Sequence, residues 1–197
     1  MLPLFITNGV DSLIMYATYF IWLAPEFISS FTDKARPGSK VSDRSSGFFL
    51  IASIWLGIYS AYWTAFSYPP FAIPFHRTAL FAAGIFLMLA GVAFRWYSIR
   101  VLGKYFTRQV TIQPGQTVVE AGPYRWIRHP SYSGALLTIL GVGVAFSNWL
   151  SLVCIVLITA IGYGYRIHVE EMTLVSALGE PYREYMKRTK RIIPFII

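Results

Sequence analysis

A chain of 197 residues that is 55% hydrophobic, 17% aromatic and only 13% charged is far more apolar than a soluble domain, in which about 25% of residues are charged. A soluble protein this small needs most of its residues on a polar surface, so a lipid bilayer is the solvent that accommodates this composition. The formal charge of +8 does not signal nucleic acid, because the basic residues sit between apolar runs and form no separate basic domain or tail.

In chain order, the runs Val10 to Phe31, Phe48 to Tyr68 and Thr78 to Ile99 each approach the roughly 20 residues needed to cross a bilayer. The first lacks a basic leader and is longer than a signal-peptide core, so it is expected to be a retained span. Trp22, Trp55, Tyr59, Trp63 and Tyr68 read as interface anchors and packing residues rather than a ligand-stacking stripe. Gly84, Gly91, Gly141, Gly143, Gly162 and Gly164 read as points of close helix approach. The block Tyr132 to Tyr165 is too long for one crossing, and Ser147, Asn148 and Trp149 at its middle predict a turn between two shorter helices.

The expected fold class is therefore all-α: a polytopic integral membrane protein of about five transmembrane helices, with a polar cytoplasmic segment and a C-terminal helix. Five spans place all of the 17 lysines and arginines except Arg77 on one side, the cytoplasmic one by the positive-inside rule. Two regions follow, a three-span membrane region over residues 1–99 and a region over residues 100–197 with two shorter spans, the C-terminal helix and most of the polar side chains suited to chemistry.

The stretch from Ile99 to Pro130 is too polar to span, and turn signals at Pro114-Gly115 and Gly122-Pro123 fold it back on itself. It offers hydrogen-bonding and aromatic side chains in Gln109, Gln116, Thr117, Tyr124, Arg125, Trp126, Arg128 and His129. Pro130 biases His129 toward an extended backbone, so a helix begins directly after it, its free amides turned to the loop. A second concentration, Arg166, His168, Glu170 and Glu171, follows the last apolar run. Arg166 and Glu170 are four positions apart and share a helix face, and charges at a membrane edge are costly enough to mark function. Glu171, rotated by roughly 100°, is expected to tolerate change better than Glu170 if it faces lipid headgroups. His76, His129 and His168 lack metal-ligand spacing, so no metal is expected. Cys154 lies in an apolar run and reads as packing.

The string Gly122-Pro-Tyr-Arg-Trp-Ile-Arg-His-Pro-Ser-Tyr-Ser-Gly134 resembles the signature segment of the isoprenylcysteine carboxyl methyltransferase family. Arg166 with Glu170-Glu171, then Leu178-Gly-Glu-Pro-Tyr-Arg-Glu-Tyr185 and Ile193-Pro-Phe195, is similar to that family's C-terminal block. The resemblance covers about Gln109 to Phe195, under half of the chain. It implies S-adenosylmethionine as cofactor and S-adenosylhomocysteine as product, with contacts from Gln109, Gln116, Thr117, Val118, Val119, Tyr124, His129, Pro130, Ser131, Tyr132 and Glu170. It places the acceptor on Arg166, which with Glu170 forms the implied catalytic pair.

The implied acceptor is the carboxylate of an isoprenylcysteine-type group, on a lipid-linked small molecule or a prenylated protein, surrounded by membrane lipids. A carboxylate is already ionised near neutral pH, so alignment and exclusion of water are the protein's contribution. Arg166 either holds the acceptor, as its planar fork suits, or orients Glu170. Phospholipid N-methyltransferases and membrane sterol reductases resemble the same segment; the reductases need a much longer chain. The alternatives are a phospholipid amine as acceptor, and a non-enzymatic lipid-binding scaffold or channel.

Overall fold

A computed structural model of the chain describes residues 1–32, 40–43 and 45–194. Lys34, Arg36 and Arg44, among the basic residues expected on the cytoplasmic side, and Phe195 of the C-terminal string lie outside the described residues. A short helix α1 (Leu4–Thr7) leads into α2 (Gly9–Thr32), the first expected span, which carries Asp11 in its first turn and Pro25 in its interior. Then come α3 (Ser45–Ser67), α4 (Arg77–Leu102), α5 (Pro130–Ala145), α6 (Trp149–Leu178) and α7 (Glu180–Arg188).

Three helices among the described residues are long and apolar enough to cross a membrane: Ser45–Ser67, Arg77–Tyr105, where a 3-10 turn prolongs α4, and Trp149–Leu178. The molecule is an integral, multi-pass membrane protein. The long apolar block divides at Ser147 and Asn148 as expected, with Ser147 at φ 50° and the Asn148 side chain accepting from the Ser151 amide to cap α6. The halves are unequal, however. α5 has 16 residues, about 24 Å against a hydrocarbon core of roughly 30 Å. α6 has 30 residues and continues past any crossing. The reason is compositional: the helix-forming sequence from Ile167 to Leu178 follows the apolar run without a glycine or proline to stop it.

α4 packs along α5 and α3 along α6. Four glycines make the first seam. A Cβ on Gly84 would stand 2.6 Å from the Ala145 amide, one on Gly91 2.5 Å from the Gly134 carbonyl, and those on Gly134 and Gly141 equally close to α4 backbone. The helices touch backbone to backbone, the approach that small residues permit in lipid. Gly162 serves the second seam, facing Ser53, whereas Gly164 has open space where a Cβ would stand and is not a packing glycine. Thr64 and Ser151 add a buried hydroxyl contact of 2.9 Å between α3 and α6. Trp55, Tyr59, Trp63 and Tyr68 are exposed, while Trp22 is buried.

One element is absent from the all-α expectation. Residues Lys40–Asp43 (β1) pair antiparallel with Val110–Ile112 (β2), Asp43 opposite Val110, and pin the polar segment to the start of α3. Strands of three and four residues leave too little alternation to read from sequence.

Candidate functional site

The polar segment folds under α6 and α7 as a lining. Gly115 and Gly122 adopt φ 67° and 54°, which non-glycine residues rarely do, and so turn the chain at the two expected places. α5 begins at Pro130, with His129 at its N-cap. The chain just before it is clamped by the C-terminal segment. The Arg128 amide donates to the Lys190 carbonyl at 2.7 Å and the His129 amide to the Arg191 carbonyl at 3.0 Å. Tyr185 on α7 donates its hydroxyl to the Tyr124 carbonyl at 2.6 Å.

These constraints frame the more polar of two adjoining cavities, about 90 Å³, its lining close to half polar. Gln109, Gln116, Thr117, Val118 and Val119 line one wall, Tyr124, His129, Ser131 and Tyr132 another, and Glu170 reaches in from α6. Pro130 does not line it; as the first helical residue it starts α5, a position its fixed φ suits. Burial pushes the phenols of Tyr124, Tyr182 and Tyr185 up from their usual value, so this wall is neutral and bonds through hydroxyls.

A second cavity, about 270 Å³ and mostly apolar, opens beside it between α2, α3, α5 and α6. Trp22, Leu50, Ile54, Trp55 and Ile58 form its body, and Glu26, Arg95, Arg108 and Arg166 its polar end. Tyr132, Phe106 and Thr107 line both cavities, so the two share a wall.

The expected pair is split by that wall, Glu170 lining the polar cavity and Arg166 the apolar one. Arg166 Nε stands 4.0 Å from Glu170 Oε2, and Tyr132 bridges them. Arg166 Nε donates to the Tyr132 hydroxyl at 3.2 Å, and that hydroxyl donates to Glu170 Oε2 at 2.7 Å. Arg166 is 3% exposed, with Nη1 donating to Ser46 at 2.8 Å and Nη2 to the Arg108 carbonyl at 2.7 Å.

Glu171 does not face headgroups. It is 4% exposed, bonded to Arg128 Nε at 2.8 Å and Arg191 Nη2 at 2.9 Å, because the helix face one step round from Glu170 is covered by the 126–129 and 190–191 backbones. His129 Nε2 is 3.4 Å from Glu171 Oε1 but makes no hydrogen bond, and neither does the buried Thr111 hydroxyl on β2. Both residues line the polar cavity; the imidazole is directed at Glu171, while the Thr111 hydroxyl is left without a hydrogen-bond partner, as a cavity for a polar ligand allows.

Glu26, Arg95, Arg108 and Ser46 were not singled out from sequence as site residues. Glu26 takes Arg95 Nε at 2.5 Å and Arg108 Nη2 at 3.0 Å, and Arg108 also donates to the Glu26 carbonyl and to Ser29. The signal was available: Glu26 is an acid inside an apolar run, and such acids are retained for partners.

Residues 83–176 match the Isoprenylcysteine carboxyl methyltransferase (ICMT) family. A protein-S-isoprenylcysteine O-methyltransferase of Xenopus laevis is 34% identical over 121 residues, covering 60% of this chain and 42% of the relative. A probable protein-S-isoprenylcysteine O-methyltransferase of Oryza sativa is 31% identical over 115 residues, 57% of this chain and 60% of the relative. The chain thus spans about half the length of these relatives. The solved structure of the eukaryotic intramembrane Ras methyltransferase ICMT superimposes with a TM-score of 0.64 at 23% identity, over 95% of this chain and 66% of that one, so the fold is shared.

Proposed function

We propose that this chain is a membrane methyltransferase which esterifies the carboxylate of an isoprenylcysteine-type, lipid-linked acceptor with the methyl group of S-adenosylmethionine. The observation that carries the reading is the shared wall at Tyr132, with a polar cavity on one side and an apolar one on the other. A polar donor and a lipid-tailed acceptor need two such compartments meeting at one point. The residues of the polar cavity suit the cofactor. The Thr111 hydroxyl is buried without a hydrogen-bond partner, and Glu170 offers an acceptor oxygen.

When bound, the cofactor supplies a methyl group on a sulfonium, which leaves as the neutral thioether S-adenosylhomocysteine while the carboxylate oxygen forms the new bond to carbon. The chain itself needs no general base, since an ordinary carboxyl with a pKa of about 4 is ionised at neutral pH. Its residues orient the reactants and exclude water. The polar end of the apolar cavity pairs one carboxylate, Glu26, with the guanidiniums of Arg95 and Arg108, and Arg166 stands beside them. Three guanidiniums face that end of the cavity, and their fixed N–H donors suit an anionic acceptor better than an amine. Trp22, Ile54 and Ile58 give the acceptor's apolar tail a place between helices.

The hydrogen bonds of Arg166 to Tyr132, Ser46 and the Arg108 carbonyl support its orienting Tyr132 and Glu170, with the acceptor carboxylate drawn by the field of the whole cluster. We place this site on the cytoplasmic side, where the cofactor is made available, by the excess of lysine and arginine at this end of the chain. Purified protein in detergent, given labelled S-adenosylmethionine and a farnesylated cysteine analogue, is expected to yield a base-labile methyl ester. Transfer to ethanolamine lipids alone, or to neither, would overturn the reading.

A further inference from the structure

Arg166 is tied on its far side to a carboxylate outside the two cavities. Its Nη1 donates to the Ser46 hydroxyl at 2.8 Å, and Ser46 is fully buried. Asp43 Oδ2 receives both the amide of Ser46, at 2.9 Å, and its hydroxyl. Asp43 Oδ1 receives the hydroxyl and amide of Ser45 at 2.6 and 3.2 Å.

Chemistry fixes the direction of every bond in this series. A guanidinium has no acceptor, so the Ser46 oxygen accepts from Arg166 and its single proton goes to Asp43. On the other side Arg166 again donates, to Tyr132, whose single proton goes to Glu170 Oε2. Two carboxylates therefore terminate one hydrogen-bonded series, and Arg166 at its centre has one rotamer that serves both. Asp43 also lies opposite Val110 in the ribbon, and Val110 and Thr111 line the polar cavity.

We propose that Asp43 is a positioning residue for methyl transfer, acting through Ser46 and Arg166 on the Tyr132 and Glu170 side chains at the wall between the cavities. The proposal rests on the methyltransferase reading above. Asp43 touches neither ligand. The hydrogen bonds from Ser45 and Ser46 outweigh its partial burial and hold its carboxyl at about 2, so the charge that anchors the series is present at any working pH.

The test is a double-mutant cycle on the full-length protein in detergent, since groups acting through one series lose their effects non-additively. Asp43→Asn keeps an oxygen for the helix amides but removes the charge, and Ser46→Ala removes the link itself. Each is expected to lower kcat about tenfold, the effect of losing a charge-assisted hydrogen bond, with affinity for S-adenosylhomocysteine unchanged within about twofold. In a Tyr132→Phe background the same substitutions are expected to add no further loss. Additive losses, or kcat within about twofold of wild type for both variants, would overturn the proposal while leaving the methyltransferase reading intact. If either variant does not fold, the other carries the cycle. Wild-type protein that transfers no methyl group overturns the reading and the proposal together.

Discussion

Glu171 and Arg128 lie 2.8 Å apart, carboxylate oxygen to Nε, with side chains 6% and 8% exposed. Arg128 in turn donates to the Met186 and Thr189 carbonyls, so one buried ion pair joins α6, the residue before His129 and the end of α7. Removing one partner of such a pair leaves the other charge buried, at a cost of about 3–5 kcal/mol. Glu171→Ala is therefore expected to lower the melting temperature in detergent far more than Glu170→Ala. Equal melting temperatures for the two variants would refute the structural role of Glu171.

Glu170→Gln and His129→Ala are expected to weaken cofactor binding about tenfold, the effect of one lost hydrogen bond to a charged group, without loss of fold. Both face the polar cavity, and Glu170 lacks the multiple ion pairs of its neighbour. Calorimetry with S-adenosylhomocysteine is the measurement. Unchanged affinity would remove either residue from the cofactor wall.

The apolar cavity is tested by filling it. Ile54→Trp places a ring where the proposed acceptor tail lies and is expected to raise the KM of a farnesylated acceptor about tenfold, while cofactor affinity holds. Overpacking costs about 1–3 kcal/mol of stability, so a small fall in melting temperature accompanies it. A fall in kcat alone, with KM unchanged, would place the tail elsewhere.

How much of this was legible in the sequence depended on range. The turn at Ser147 and Asn148, the helix start at Pro130 and the sharing of a face by Arg166 and Glu170 are local consequences of residue type and spacing, and each is present. Which way Glu171 points is not local. Helix periodicity turned it away from Glu170 correctly, but what covers that face is a backbone some twenty residues further on. The partners of Arg166 were hidden for the same reason, since Ser46 lies at the start of α3 and meets Arg166 only because α3 packs along α6. The split of Arg166 and Glu170 between two cavities follows from Tyr132, whose place on α5 no spacing in α6 encodes.

The seam between α4 and α5 gives a prediction about folding. Gly91→Leu sets a side chain against the Gly134 carbonyl, already 2.5 Å from where a Cβ would stand. The helices must separate, and loss of native protein is expected in a detergent extract, read by size-exclusion chromatography. Gly164→Leu, with open space around it, is expected to elute as wild type does.

Stability against pH reports on Asp43 directly. Its carboxyl is lowered from the usual 3.8 to about 2, so the stabilisation is complete above the unfolded value and disappears as the pH falls through the folded one. Between about pH 5 and about pH 2 the melting temperature of wild type is expected to fall further than that of Asp43→Asn. Parallel decline of the two proteins would show the carboxylate to be uncoupled from folding.

α6 has 30 residues, a rod of about 45 Å in a hydrocarbon layer of roughly 30 Å. Arg166, Glu170 and Glu171 all ride on the end that extends past the apolar run, joined to it by unbroken helix. A rigid rod responds to a thinner or thicker bilayer by changing its tilt, and the segments packed on its end move with it. The depth and angle at which the two cavities meet are thus set partly by the lipids, so vesicles of different acyl-chain length become a means of adjusting the proposed methyl-transfer geometry without altering a residue.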